Sequence, residues 1–210
     1  MAASPPSAQD VAGAVLQAAR LAFAARGYSG TTLKSVAVAA GVAPDVVRSL
    51  YRNKEQLFAA ALTLPFDPAR AVPRLVAPGL DGLGARLVRL SLTWLDDDQV
   101  RADVARLAVG RPEAPAVGAA AASSTPVAEL RALSEYLATV VIDPVLATLG
   151  VPDARLRAAL ITSHLVGMAT TRYVLRIEPL ASASEDDVVR LLAPAIQDLL
   201  DPTRSPRERA

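Results

Sequence analysis

Between Leu33 and Arg52 the chain reads LKSVAVAAGVAPDVVRSLYR, a spacing of residue types suited to holding two short helices at a steep angle. The small Ala37 stands where two crossing helices would touch. Gly41, four positions on, marks a sharp backbone turn, and Val42 and Val47 can lock the second helix onto the first, with Val36 and Ala40 in support. Such a helix-turn-helix can lay its second helix in the major groove of duplex DNA, where side chains read base edges. Two helices joined by a glycine turn also mimic the pattern without nucleic acid, so it leaves both readings open.

Other chemistry is thinly supplied. Among 210 residues there is no Cys and one His, which removes thiol catalysis, disulfides and Cys-ligated zinc, and leaves too few imidazoles for a His-rich metal site. No Gly-rich phosphate loop, G-x-S-x-G elbow or carboxylate pair near His164 is present in the sequence, so neither an enzyme nor a cofactor is expected. Asp96, Asp97 and Asp98 are adjacent carboxylates, but consecutive helical positions point apart, and Asp97 or Asp98 reads better as a helix N-cap than as a metal ligand. His164 lies in the most apolar segment, with Met168 one turn on and Thr171, Arg172 and Tyr173 beyond. It suits either a hydrogen bond to a small molecule in a bundle pocket or a satisfied core or interface histidine. Trp94, Tyr136, Met168 and Tyr173 are candidate pocket walls, although each taken singly fits plain core packing better.

The elements that must position these residues are all helical. An amphipathic stripe of Val11, Val15, Ala19 and Phe23 predicts a helix over 8–26, stopped by Gly27 in a left-handed cap with Tyr28 as its closing contact. Thr32 can cap a helix over 33–40. Pro44 suits the first turn of another over 44–51, where Ala43 is a poor cap, and Asn53 with Gln56 opens a fourth to Leu62 in a capping-box pattern. From Pro65 to Gly84 four prolines and three glycines preclude a long continuous helix. Beyond lie predicted helices over 83–96, 98–109, 126–149 with a kink at Pro144, 153–176, and 185–200 capped by Ser184 and Asp187. The expected architecture is all-α with about nine helices: a head over 8–62, a junction over 63–84, a bundle over 85–201, and disordered tails at 1–7 and 202–210.

Charge follows the same division. Residues 1–60 carry six basic against three acidic side chains, while the remaining 150 carry 16 against 18. A basic head on a neutral body hints at an anionic partner for the head. The opening MAASPPSAQD is no secretory signal, and no run approaches about 18 uninterrupted apolar residues, so a cytoplasmic protein with no membrane contact is expected.

Residues 15–62, VLQAARLAFAARGYSGTTLKSVAVAAGVAPDVVRSLYRNKEQLFAAAL, resemble the amino-terminal domain of TetR-family transcriptional regulators. Gly27-Tyr28, Thr31-Thr32, the helix-turn-helix and Lys54-Glu55-Gln56-Leu57 carry the resemblance together. TSHLVGMATTRYVLRIEPLAS, 162–182, is similar to the ligand-binding and dimerisation domain of some of these proteins. The resemblance implies a homodimer whose third helices enter successive major grooves of a roughly palindromic operator, and a repressor released by a small hydrophobic effector. Pro44, Asp45, Val46 and Arg48 match the DNA-reading positions. Thr32, Ser49, Arg52 and Lys54 match phosphate-facing ones, and Tyr51 matches an aromatic of the head's core. Arg48 stands where the family usually has Tyr, and Ala43 where Ser or Thr caps the helix. An arginine there can offer a fork to guanine, and Asp45 can accept from cytosine or orient Arg48. The self-association surface is expected on 153–176 and 185–200, where Ala158, Ala159, Gly167 and Ala169 allow close approach. An all-α enzyme or a protein-only adaptor acting through the bundle are the competing readings.

Overall fold

The computed structural model describes residues 7–62, 64, 68–96, 98, 101–102, 126–201 and 203. Most of the helix expected over 98–109, the loop that follows it and most of both expected tails lie outside the described residues. What is described is helical, with no strand among those residues: α1 (Ala8–Arg26), α2 (Leu33–Ala39), α3 (Pro44–Leu50), α4 (Lys54–Ala61), α5 (Pro68–Val76), α6 (Leu83–Leu95), α7 (Pro126–Tyr136), α8 (Asp143–Thr148), α9 (Ala154–Ala169) and α10 (Glu185–Leu200). The expected all-α class is observed. No helix among the described residues is long and apolar enough to cross a membrane.

Local chemistry sets the helix starts. Ser7 and Asp10 form a reciprocal capping box on α1, and the hydrogen bonds from Ser7 hold the Asp10 carboxyl below the usual carboxylate range. Thr32 and Ser35 do the same for α2. Asn53 caps α4 by accepting from the Gln56 amide at 2.9 Å. The Gln56 side chain, however, accepts from Arg52 N–H, one residue before the position a full capping box would use. Gly27 departs from the expected left-handed cap: its φ of 72° is paired with an extended ψ of 178°, a conformation almost confined to glycine. A Cβ there would also meet the Glu135 carboxylate at 2.5 Å.

Two prolines and two arginines shape the rest. Pro144 has no N–H to offer and its ring would strike the carbonyl of the preceding turn. The chain answers between α7 and α8 with a π segment, Leu137–Ile142, in which Asp143 N–H reaches back five residues to the Ala138 carbonyl. A second π segment, Thr170–Val174, prolongs α9. Pro73 lies within α5, and Arg86 gathers the carbonyls of Leu75, Gly79 and Asp81, fixing the α5–α6 turn. Arg157, 4% exposed, donates to the carbonyls of Leu199 and Asp201 and so closes the C-terminal end of α10.

The core is continuous from head to bundle. In the head, Val15, Phe23, Val36, Ala37, Val47, Leu57 and Phe58 are almost wholly buried. In the bundle α6 crosses α10 so closely that a Cβ on Gly84 would lie 2.6 Å from the Ala193 carbonyl oxygen. Gln197 bridges that crossing, accepting from Gly84 N–H and donating to the Leu80 carbonyl.

Candidate nucleic-acid interface and the cavity behind it

The turn between α2 and α3 is built as its residue types require. Val36, Ala37 and Val47 have no exposed surface, and Gly41 takes φ of 68°, where an L side chain is strained. Gly41 N–H bonds the Val38 carbonyl and Val42 N–H bonds that of Ala37, closing the turn. Tyr51 ends α3 half-buried against the head's core, and burial raises its phenol above the ordinary tyrosine value.

One side of α3 is left to solvent. Pro44, Asp45, Arg48 and Ser49 are exposed and Val46 is half-buried, while Val47 faces inward. Arg48 Nη1 lies 3.2 Å from Asp45 Oδ1, in a pair whose side chains are 65% and 91% exposed. Ser49 donates its hydroxyl to the Val46 carbonyl. Thr32 and Arg52 are exposed, the first engaged as the α2 cap.

Lys54 stands apart from this group. Its ammonium donates to the Tyr28 carbonyl at 3.1 Å and lies 4.2 Å above the centre of the Tyr28 ring. Tyr28 in turn gives its hydroxyl to Glu55 Oε1 at 2.9 Å. Burial, and then the Glu55 carboxylate, push the Tyr28 phenol far above its ordinary value. From the bundle, Tyr136 meets Tyr28 edge-on at 5.2 Å and stacks on Phe58 at 4.5 Å, and Glu135 accepts from Ser29 N–H. Sequence reasoning missed Glu135, because its partners lie about a hundred residues away and no local pattern links them. Thr31 was legible only as part of a motif; buried, its hydroxyl is shared between the Ala22 and Gly27 carbonyls.

Behind the head, α5, α6, α7, its π segment and α9 line a cavity of about 110 Å³. Its walls are chiefly leucine and valine, with Trp94, Ser91, Thr162 and Thr170. Of the five residues singled out for a pocket, Trp94 lines it and Tyr136, His164, Met168 and Tyr173 do not. On α9 the lining residues Thr162, Leu165, Val166 and Ala169 form one helical stripe, and His164 and Met168 fall off it. The Nδ1 of His164 bonds the Leu160 carbonyl at 2.7 Å, Met168 is buried in the core, and Tyr173 lies under the Arg172 guanidinium. Tyr136, three positions after Leu133 and one before Leu137, both of which face the cavity, meets the head instead. Leu64 and Leu75, from the breaker-rich stretch, contribute walls instead.

Among the described residues, a helix-turn-helix head packs on a cavity-bearing helical bundle. The model of the bacterial regulatory proteins of the tetR family matches residues 15–61, and that of the tetracyclin repressor-like C-terminal domain matches residues 81–200. The chain belongs to the TetR family of DNA-binding transcriptional regulators. No curated protein matches it significantly. Among solved structures, a TetR-family regulator from Streptomyces coelicolor A3 is 33% identical, with 95% of this chain and 99% of that one covered and a TM-score of 0.46. NalD, the secondary repressor of the MexAB-OprM multidrug efflux pump in Pseudomonas aeruginosa, is 19% identical over 90% of this chain and 96% of its own, with a TM-score of 0.43. The fatty acid degradation regulator FadR from Bacillus halodurans is also 19% identical, over 91% and 99%, with a TM-score of 0.39.

Proposed function

We propose that the protein is a cytoplasmic homodimeric repressor that reads a palindromic operator through α3 and leaves it when a small apolar molecule occupies the bundle cavity. The observation that carries this reading is the division of α3, with Val47 buried and Pro44, Asp45, Arg48 and Ser49 exposed together. Arg48 supplies a fork for guanine O6 and N7, and Asp45 already orients that fork. Val46 gives apolar contact to a base edge, while Thr32, Ser49 and Arg52 face phosphates. Lys54 reaches a phosphate only by leaving the Tyr28 ring, so its contribution to DNA is smaller than its position suggests.

Dimerisation is supported by a stripe on α9. Leu156, Ala159, Leu160, Ser163 and Gly167 are all exposed and recur at helical spacing. Leu156 is 63% exposed, and Leu191 on the adjacent α10 is 70% exposed. Ala158 and Ala169, which also looked suited to an interface, are instead buried in the chain's own core. Two such faces brought together would form a four-helix contact with two-fold symmetry.

Regulation follows from α7 and its π segment. Leu130, Leu133, Leu137 and Val141 line the cavity, while Glu135 and Tyr136 hold the head. A molecule that moves this helix moves the head, and half-sites about one helical turn apart tolerate little change in head spacing. Selection of duplexes from a random library by the purified protein, with salt titrated, tests the reading. Recovery of a palindrome with fixed half-site spacing and a steep salt dependence is expected. No enrichment and no salt dependence would point to the protein-only adaptor.

A further inference from the structure

We propose that the molecule this cavity accepts is uncharged and largely hydrocarbon, with one hydroxyl or carbonyl oxygen that hydrogen-bonds Thr162. This rests on the reading of the cavity as an effector site and adds the ligand's chemical class. Two features of the wall carry it. The first is what the described wall lacks: among the described residues none that lines the cavity is Asp, Glu, Lys, Arg or His, so a charged ligand would lose its hydration with no counter-charge from them in return.

The second is the Thr162 hydroxyl. Thr162 is 3% exposed and lines the cavity from α9, and its Oγ1 has no hydrogen-bond partner among the described residues. Helical hydroxyls ordinarily return their proton to the carbonyl one turn back. Ser91, Ser134, Thr139 and Thr148 all do so here, and Thr162 does not. A buried hydroxyl left open in this way, at the wall of an otherwise apolar cavity, has the capacity to donate one hydrogen bond and accept others. An oxygen on an entering molecule would fill that capacity. Ser91, across the cavity, already spends its proton on the Leu87 carbonyl, and among the described lining residues Thr162 carries the hydroxyl that is buried without a partner. An engineered cavity of about 150 Å³ holds benzene; the 110 Å³ here is of the same order and suits a compact skeleton.

The test uses phenol, toluene and benzoate as probes, titrated into the full-length protein and its Thr162→Val variant by calorimetry or ligand-observed NMR. Phenol and toluene have nearly the same shape and differ by the oxygen, as Thr and Val do. The ratio of phenol to toluene affinity is expected to fall about tenfold on Thr162→Val, which is the worth of one hydrogen bond, and benzoate is expected not to displace either. The unliganded variant should melt at a temperature no lower than the wild type, because the swap removes a hydroxyl that has no partner. An unchanged affinity ratio, displacement by benzoate, or a lower melting temperature for Thr162→Val would each overturn the ligand class while leaving the cavity as a binding site. Failure of all three probes to bind a wild-type protein that still selects DNA would overturn the ligand class and the effector reading together.

Discussion

The ring of Tyr28, just past the end of the head's first helix, stands edge-on to the ring of Tyr136 on α7, with 5.2 Å between their centroids. Tyr136 also stacks on Phe58, so the bundle inserts one fully buried aromatic into the core of the head. One helical position to either side of it, Glu135 holds Ser29 and Leu137 lines the cavity. The head and the cavity therefore share one continuous helical stretch, α7 and its π segment.

Replacement of Tyr136 by Leu should loosen that link. The edge-on contact and part of the ring's packing are lost, at a cost of about 1–3 kcal/mol in chemical denaturation. Operator affinity without ligand should change little, while the ratio of affinities with and without a cavity-binding molecule should shrink toward one. A variant that kept the full ratio would exclude this contact from the coupling.

Arg48→Ala should weaken operator binding by about 1–3 kcal/mol and relax preference at one base pair in each half-site. Its pairing with Asp45 is exposed, and such pairs contribute little to stability, so the melting temperature should be unmoved. Fluorescence anisotropy on a set of single-base operator variants would measure both effects. Equal discrimination by wild type and variant would remove Arg48 from base reading.

Alkaline conditions should loosen the protein through Tyr28. Burial and the Glu55 carboxylate raise its folded-state ionisation above that of the unfolded chain. The folded protein thus keeps the proton at a pH where the unfolded chain releases it. The stabilisation is complete below the unfolded value of about 10 and declines as pH rises beyond it. Denaturation midpoints between pH 8 and 11 should fall in the wild type, and less steeply in Tyr28→Phe. Parallel curves would contradict the assignment.

Gly84→Ala should cost about 1–3 kcal/mol. The added Cβ meets backbone atoms of Ala193 and Gln197, which cannot swing away as a side-chain end could. Gly13→Ala is the matched control, since Gly13 is exposed on α1 and a Cβ there meets nothing within 4 Å. Thermal melts of the two variants should differ clearly, and similar losses in both would refute the close-crossing argument.

Leu160→Glu should convert the proposed dimer to monomer, because Leu160 lies on the exposed α9 stripe at 40% exposure and contributes little to the chain's own core. Sedimentation over a range of concentrations would show it, with helicity retained by circular dichroism. A variant that sediments as the wild type does would move the interface elsewhere.

Local sequence was enough for most of the helices and their starts, because a cap or a stripe is a matter of residues three and four apart, though not for α5 within the breaker-rich stretch. Thr32, Asn53 and Ser184 cap the helices they precede, and the crossing at Ala37 and Gly41 was legible from residue size and backbone freedom alone. Pro144 announced an irregularity, though its form, a π segment in the cavity wall, depends on what packs there. Periodicity reports that a face is apolar and stays silent on what covers it. Tyr136 and Trp94 looked alike as large apolar residues on bundle helices, yet one meets the head and the other the cavity. Lys54 looked like a free cation and is held by the ring and carbonyl of Tyr28, 26 residues away. Arg157 carried no signal in the sequence and is buried against the end of α10. Contacts between residues far apart in the chain are set by how helices cross, and the open hydroxyl of Thr162 could be recognised only once every neighbouring acceptor had been placed.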